Sequence, residues 1–118
     1  MNSDILKSYG IDYEKGRERC LGDADFYAQL LDMFLEDTAF ERAEQALNQK
    51  DYKTLFECMH ELKGSAGNVD LSELFCTVSP LVELLRGGSD DDERIAKLFS
   101  EVSCSYAKAC KGIRLALQ

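Results

Sequence analysis

With 22 acidic against 14 basic residues in 118, the chain carries a net charge of −8. That excludes the basic face of a typical nucleic-acid binder and disfavours adhesion to anionic membranes. Its 45% hydrophobic and 31% charged residues are those of an ordinary soluble globular protein, and its length suits one domain, residues 1–118, with a single core. No apolar run approaches a membrane span. The N-terminus lacks the basic-then-apolar layout of a signal peptide, and Met1 reads as a natural start. The five cysteines (Cys20, Cys58, Cys76, Cys104, Cys110) are odd in number and form no CxxC pair, a poor disulfide framework and a poor zinc site. The reading is of reduced thiols in a cytoplasmic protein without a metal site. Cys58 and His60, two residues apart on a helix, point in different directions and cannot jointly hold a metal there.

In chain order, Ser3 is placed to cap a short helix through Tyr9, ended by Gly10. Asp12 caps a second short helix, Tyr13 to Cys20, closed by Leu21-Gly22. Residues 1–22 thus form an N-terminal cap, with Ile5, Leu6, Ile11 and Leu21 packed over one end of a bundle formed by residues 23–118. Asp23 opens a long helix to about Asn48 with an apolar stripe of Phe26, Leu30, Met33, Phe40 and Leu47. Leu31 and Leu35 fall on a different side of that helix. They either pack on a further helix or form an apolar docking surface. The short linker Asn48-Gln49-Lys50 makes the next helix antiparallel, and Asp51 caps it.

Asp70, with Glu73 three residues on, fits a capping box before Leu71. Leu71, Leu74, Phe75, Val78, Leu81, Val82 and Leu85 then form an amphipathic stripe. Pro80 lies opposite it, which predicts a kink facing solvent and no break. Gly87-Gly88-Ser89 ends that helix. Asp90 to Glu93 start the last one at its positive dipole end, and Ile95, Leu98, Phe99, Val102, Tyr106, Ala109 and Ile113 hold its stripe. Lys108, Lys111 and Arg114 gather at its negative end. The fold predicted is all-α: an antiparallel up-down-up-down four-helix bundle with short N-terminal capping helices.

The informative stretch is Met59 to Asn68. On a helix over 52–67, Leu55, Met59, Leu62 and Ala66 share one buried stripe. At about 100° per residue, His60 lies about 140° from the stripe's centre, facing solvent. Phe56, Lys63, Gly64 and Gly67 are its neighbours at spacings of three and four. Phe56 borders the stripe, so core packing and partner contact both remain open for it. Each glycine inside a helix costs roughly 1 kcal/mol relative to alanine. Two of them beside the chain's only histidine mark a place where something must come close.

This pattern, His60-x-x-Lys63-Gly64-Ser65-Ala66, resembles the phospho-accepting helix of histidine-containing phosphotransfer (HPt) domains, helical bundles that shuttle phosphoryl groups between receiver-domain aspartates. The runs Phe26 to Asp37 and Leu71 to Phe75 read like that family's flanking helices, so the resemblance covers roughly residues 12–117. It implies that His60 carries the phosphoryl group, that Lys63 offsets its charge and that Gly64 clears space for the partner. Phe56, Gly67, Leu31 and Leu35 are the candidate docking residues.

The implied partners are response-regulator receiver domains, a hybrid sensor histidine kinase, or both. The receiver brings the aspartate and the Mg²⁺, and the protein itself, a monomer, holds no cofactor. Members usually carry a glycine ten positions after the histidine, where this chain has Asp70. They often carry a Gln or Glu in the following helix that hydrogen-bonds the imidazole, a position that falls on Val82, next to Glu83.

Imidazole, with an ordinary pKa of about 6.5, offers a neutral ring nitrogen near neutral pH. Phosphoryl transfer asks mainly for in-line positioning and charge neutralisation. No Gly-x-x-x-x-Gly-Lys-[Ser/Thr] is present, so the reading is of a phosphoryl carrier and not an enzyme with a nucleotide site. The alternative reading is a receiver-binding helical adaptor without phosphotransfer. A hydrolase using His60 as general base would need a pocket and an orienting carboxylate, which a convex helix face does not supply.

Overall fold

Aspartate side chains open four of the seven helices of this protein, each accepting a backbone N–H three residues on: Asp12, Asp23, Asp51 and Asp91. The computed structural model describes residues 1–118. Its helices are α1 (Ser3–Ser8), α2 (Tyr13–Arg19), α3 (Ala24–Phe34), α4 (Ala39–Asn48), α5 (Tyr52–Asn68), α6 (Ser72–Arg86) and α7 (Asp92–Ala116). None is long and apolar enough to cross a membrane. Asn2, and not Ser3, caps α1, because its side chain reaches the amides of Asp4 and Ile5.

The buried apolar side chains form one continuous core. Helix α5 packs between α4 and α6, and α6 packs on α7. Arg42 bonds Glu61 at 2.8 Å and Asp37 bonds Ser65 at 3.0 Å, a register that sets α4 antiparallel to α5. Phe40 of α4 stacks on Phe99 and Tyr106 of α7, with ring centres 5.5 and 4.2 Å apart. Lys50 and Tyr52 both bond Asp92, joining the starting ends of α5 and α7. α6 runs unbroken through the exposed Pro80.

The long helix expected from Asp23 to Asn48 is two helices. Asp37 takes the amide of Ala39 on one oxygen and the Ser65 hydroxyl on the other, so its side chain starts α4 and cannot sit within a continuous helix. The break changes which face of the segment is inside. Tyr27, Leu31 and Phe34 are buried in α3, whereas Phe26 and Met33 of the expected stripe are 47% and 65% exposed. Leu31 is wholly enclosed, which withdraws its docking reading, whereas Leu35 is half-buried and packs one side against the core. Leu21, expected to pack on the bundle, is 96% exposed in a turn at φ +57°.

The N-terminal cap holds the turn that follows α5. α1 lies along α7, with the Asn2 amide bonded to the Ala116 carbonyl at 3.1 Å. The amide of Asp12 bonds the Asp70 carbonyl at 3.0 Å, and that of Glu73 bonds the Gly10 carbonyl at 3.1 Å. Tyr27, whose ring lies where any side chain at Gly16 would stand, donates its hydroxyl to the Val69 carbonyl at 2.6 Å. Burial, first, and then the nearby Asp70 charge push the Tyr27 phenol well above its ordinary range.

Asp70 does not cap α6. Its carboxylate is held by Arg19 of α2 through two bonds of 3.0 and 3.2 Å and is almost wholly buried, and Leu71 stands at the N-cap of α6 with no side-chain cap. Glu73 pairs instead with Lys108 of α7 at 2.8 Å. Asp70 has φ +57°, the left-handed region in which glycine is unstrained and a β-carbon is not. Aspartate tolerates that region better than most residues, and Arg19 gives its side chain a partner there.

Asp70→Gly therefore loses the ion pair alone, whereas Asp70→Ala loses the pair and keeps the strain. Urea denaturation should find the glycine variant more stable than the alanine variant by about 1 kcal/mol. Equal stabilities would show that the backbone at this position is not strained.

Candidate functional site

Helix α5 begins where Asp51 accepts the Thr54 amide at 3.1 Å and its hydroxyl at 2.7 Å. From there Leu55, Met59, Leu62 and Ala66 are completely buried, and Cys58 lies beside them. This rotation turns the opposite face outward. His60 is exposed at its middle, Phe56 and Lys63 are half-buried on either side, and Gly64 lies open one turn on. A β-carbon built at Gly64 would meet nothing within 4 Å, so packing within the protein does not require glycine there. Gly67 differs: its β-carbon would come within 3.3 Å of the Phe75 ring.

Helix α6 supplies the other wall. Arg86 lies against Phe56 and Phe75 lies against Gly67, so the two helices run antiparallel past the histidine. His60, Lys63, Gly64 and Asn68 of α5 face Phe75 and Arg86 of α6 across a shallow cleft that opens to solvent. Its charged groups are cations, with no carboxylate in the lining. Such a site suits an anionic group delivered from outside.

In this antiparallel register the α6 residue opposite His60 is Val82, which is buried and has no polar atom to bond the imidazole. The neighbour of the ring is Phe56, with centres 5.9 Å apart and planes tilted by 60°, an edge-to-face arrangement. Phe56 thus both borders the core and touches His60. Glu83, beside Val82, is directed to Arg86 at 3.5 Å.

The structure brings four of the sequence-predicted site residues together with Phe56 at the margin: His60, Lys63, Gly64 and Gly67. Leu31 is in the core and Leu35 packs against it. Asn68 of α5 and two residues of the α6 wall escaped the sequence reading. Arg86 stands in the last turn of α6, where a basic residue is ordinary on helix-dipole grounds alone. Phe75, placed on the apolar stripe of α6, is 38% exposed. The signal that could have found both is the antiparallel register itself, which sets positions 75 and 86 opposite 67 and 56.

A model of the Hpt domain matches residues 29–109. Searches of curated proteins and of solved structures returned no match. The matched span starts within α3, contains His60 and both walls of the cleft, and ends in α7. Because it takes in most of the chain, the protein belongs to the Hpt domain family.

Proposed function

We propose that this protein is a phosphorelay intermediate that accepts a phosphoryl group on His60 from a receiver-domain aspartate and passes it to another receiver aspartate. Family membership carries the coarser statement, a phosphotransfer role in two-component signalling, in which Hpt domains act as phosphocarrier modules that meet receivers and kinases. The observation that carries the finer reading is the setting of the only histidine. It stands exposed in an open cleft between Lys63 and Arg86, beside clear space at Gly64.

In the forward step the unprotonated ring nitrogen of His60 attacks the phosphorus of an aspartyl phosphate. The N–P bond forms as the P–O bond to the carboxylate breaks, the carboxylate leaves, and the N–H on the other ring nitrogen stays in place. Lys63 and Arg86 offset charge on the moving phosphoryl oxygens, and the tilted contact with Phe56 orients the imidazole. Passage to a second receiver is the same step reversed. Mg²⁺ belongs to the receiver, so the protein supplies half of an active site and needs no cofactor of its own. The scaffold we propose is a single domain, residues 1–118. Its four-helix up-down-up-down bundle, in which α3 and α4 together count as one helix, works as a monomer in the cytoplasm.

His60→Gln should abolish acid-labile label from a phosphorylated receiver while leaving the far-UV circular dichroism and Tm nearly unchanged. Label persisting on that variant would place the phosphoryl group elsewhere and overturn the assignment.

Gly64 gives a test with opposite signs. Helix propensity favours its replacement by up to about 1 kcal/mol for alanine, and the open space around it leaves room for a side chain. A side chain there rises into the approach of the receiver, and a misplacement of about 1 Å can cost 10²-fold in rate. Thermal melts should show Gly64→Ala stabilised and Gly64→Gln unchanged or slightly stabilised. Rapid-quench time courses should show transfer slowed mildly in the first and severely in the second. Transfer at the wild-type rate in Gly64→Gln would mean that the receiver docks elsewhere.

A further inference from the structure

Phe75 is a large aromatic side chain left 38% exposed at the edge of the cleft, although the α6 stripe around it is buried. Two contacts of its ring bear on the site. One is the backbone of α5 at Gly67, where a β-carbon would lie 3.3 Å from Cδ2 and Cε2 of the ring. The other is Lys63, whose Nζ lies 5.5 Å from the ring centre, within the range of about 6 Å where a cation is attracted to an aromatic face. Gly67 and Phe75 therefore form one fitted unit. The missing side chain at 67 lets the ring lie close against α5, and from there the ring reaches the lysine that stands one turn from His60.

A lysine has four rotatable side-chain bonds and, at a surface, loses substantial rotamer entropy when fixed. A carboxylate would hold it in place but would also cancel the charge that an incoming phosphoryl group requires. An aromatic face holds the ammonium through its quadrupole and adds no net charge. We propose that Phe75 is a positioning residue for phosphotransfer, holding the Lys63 ammonium within the cleft that His60 lines, with its charge still available. This rests on the proposed function of His60. The contact between Lys63 and Phe75 can be tested apart from it.

The experiment is a double-mutant cycle on the intact chain. Single-turnover transfer from a phosphorylated receiver is followed at saturating and sub-saturating receiver, with a thermal melt for each variant. Phe75→Leu should slow the transfer step about 2–5-fold, the range of an exposed cation–π contact, with half-saturation unchanged. Phe75→Tyr, which keeps the ring face, should transfer at the wild-type rate. In the Lys63→Ala background, Phe75→Leu should have no further effect. A full extra 2–5-fold loss in that background would show that Phe75 acts through packing or by touching the receiver, and would overturn the inference.

A second readout needs no receiver. The Lys63 ε-methylene protons should be shifted upfield by the ring current of Phe75 in the wild type and return to the ordinary lysine position in Phe75→Leu. Unshifted protons in the wild type would overturn the contact. Wild-type protein that shows this shift yet takes no label from a receiver would instead refute the phosphotransfer reading.

Discussion

The rotation of α5 about its own axis governs everything at the site, and the burial of Leu55, Met59, Leu62 and Ala66 sets it. Burying a side chain the size of leucine contributes about 1.5–3 kcal/mol relative to leaving it exposed. A one-residue slip turns the helix by about 100° and would draw charged groups into the core while pushing these side chains out. No arrangement of the cleft competes with that. His60 is outside because four neighbours at helical spacing are inside, and Lys63 and Gly64 follow it by the same geometry.

What could be read ahead of the structure divides along this line. The cores of α5, α6 and α7 depend on periodicity within one continuous segment, and their stripes were legible apart from Phe75. The break between α3 and α4 was not, because Asp37, which takes the Ala39 amide, also accepts a bond from the Ser65 hydroxyl, 28 residues away. With the break unseen, the apolar stripe of α3 was assigned to Phe26 and Met33 instead of to Tyr27, Leu31 and Phe34. Asp70 shows the same difficulty. Its neighbours in sequence make a plausible capping box, whereas its observed backbone angle and its partner Arg19, 51 residues earlier, emerge only in the folded chain. His60 itself was legible from spacing. The aromatic contacts that flank it, Phe56 to Arg86 and Phe75 to Lys63, required the register between two helices.

The N-terminal cap has a structural role beyond covering one end of the core. Through the carbonyl and carboxylate of Asp70 and the amide of Glu73, and with Tyr27 of α3 on the Val69 carbonyl, it grips the turn between α5 and α6 on several sides. That turn sets how α6 returns along α5, and hence where Phe75 and Arg86 stand relative to His60. The precision of the cleft is thus maintained partly by residues that do not line it, among them Tyr27 and the backbone of Gly10.

The absence of a carboxylate from the cleft lining has a consequence for how the two states of such a carrier look to other proteins. Empty, the cleft presents two cations on a chain whose net charge is −8. A phosphoryl group brings about −1.5 to −2 near neutral pH and, with Glu83 already partnering Arg86 at 3.5 Å, this exceeds what Lys63 alone offsets. On the proposed function, loading would make the potential within a Debye length of His60, about 8 Å at physiological ionic strength, markedly more negative. An acidic partner would be drawn to the empty form and held less strongly by the loaded one, so the cargo itself would label the protein as full.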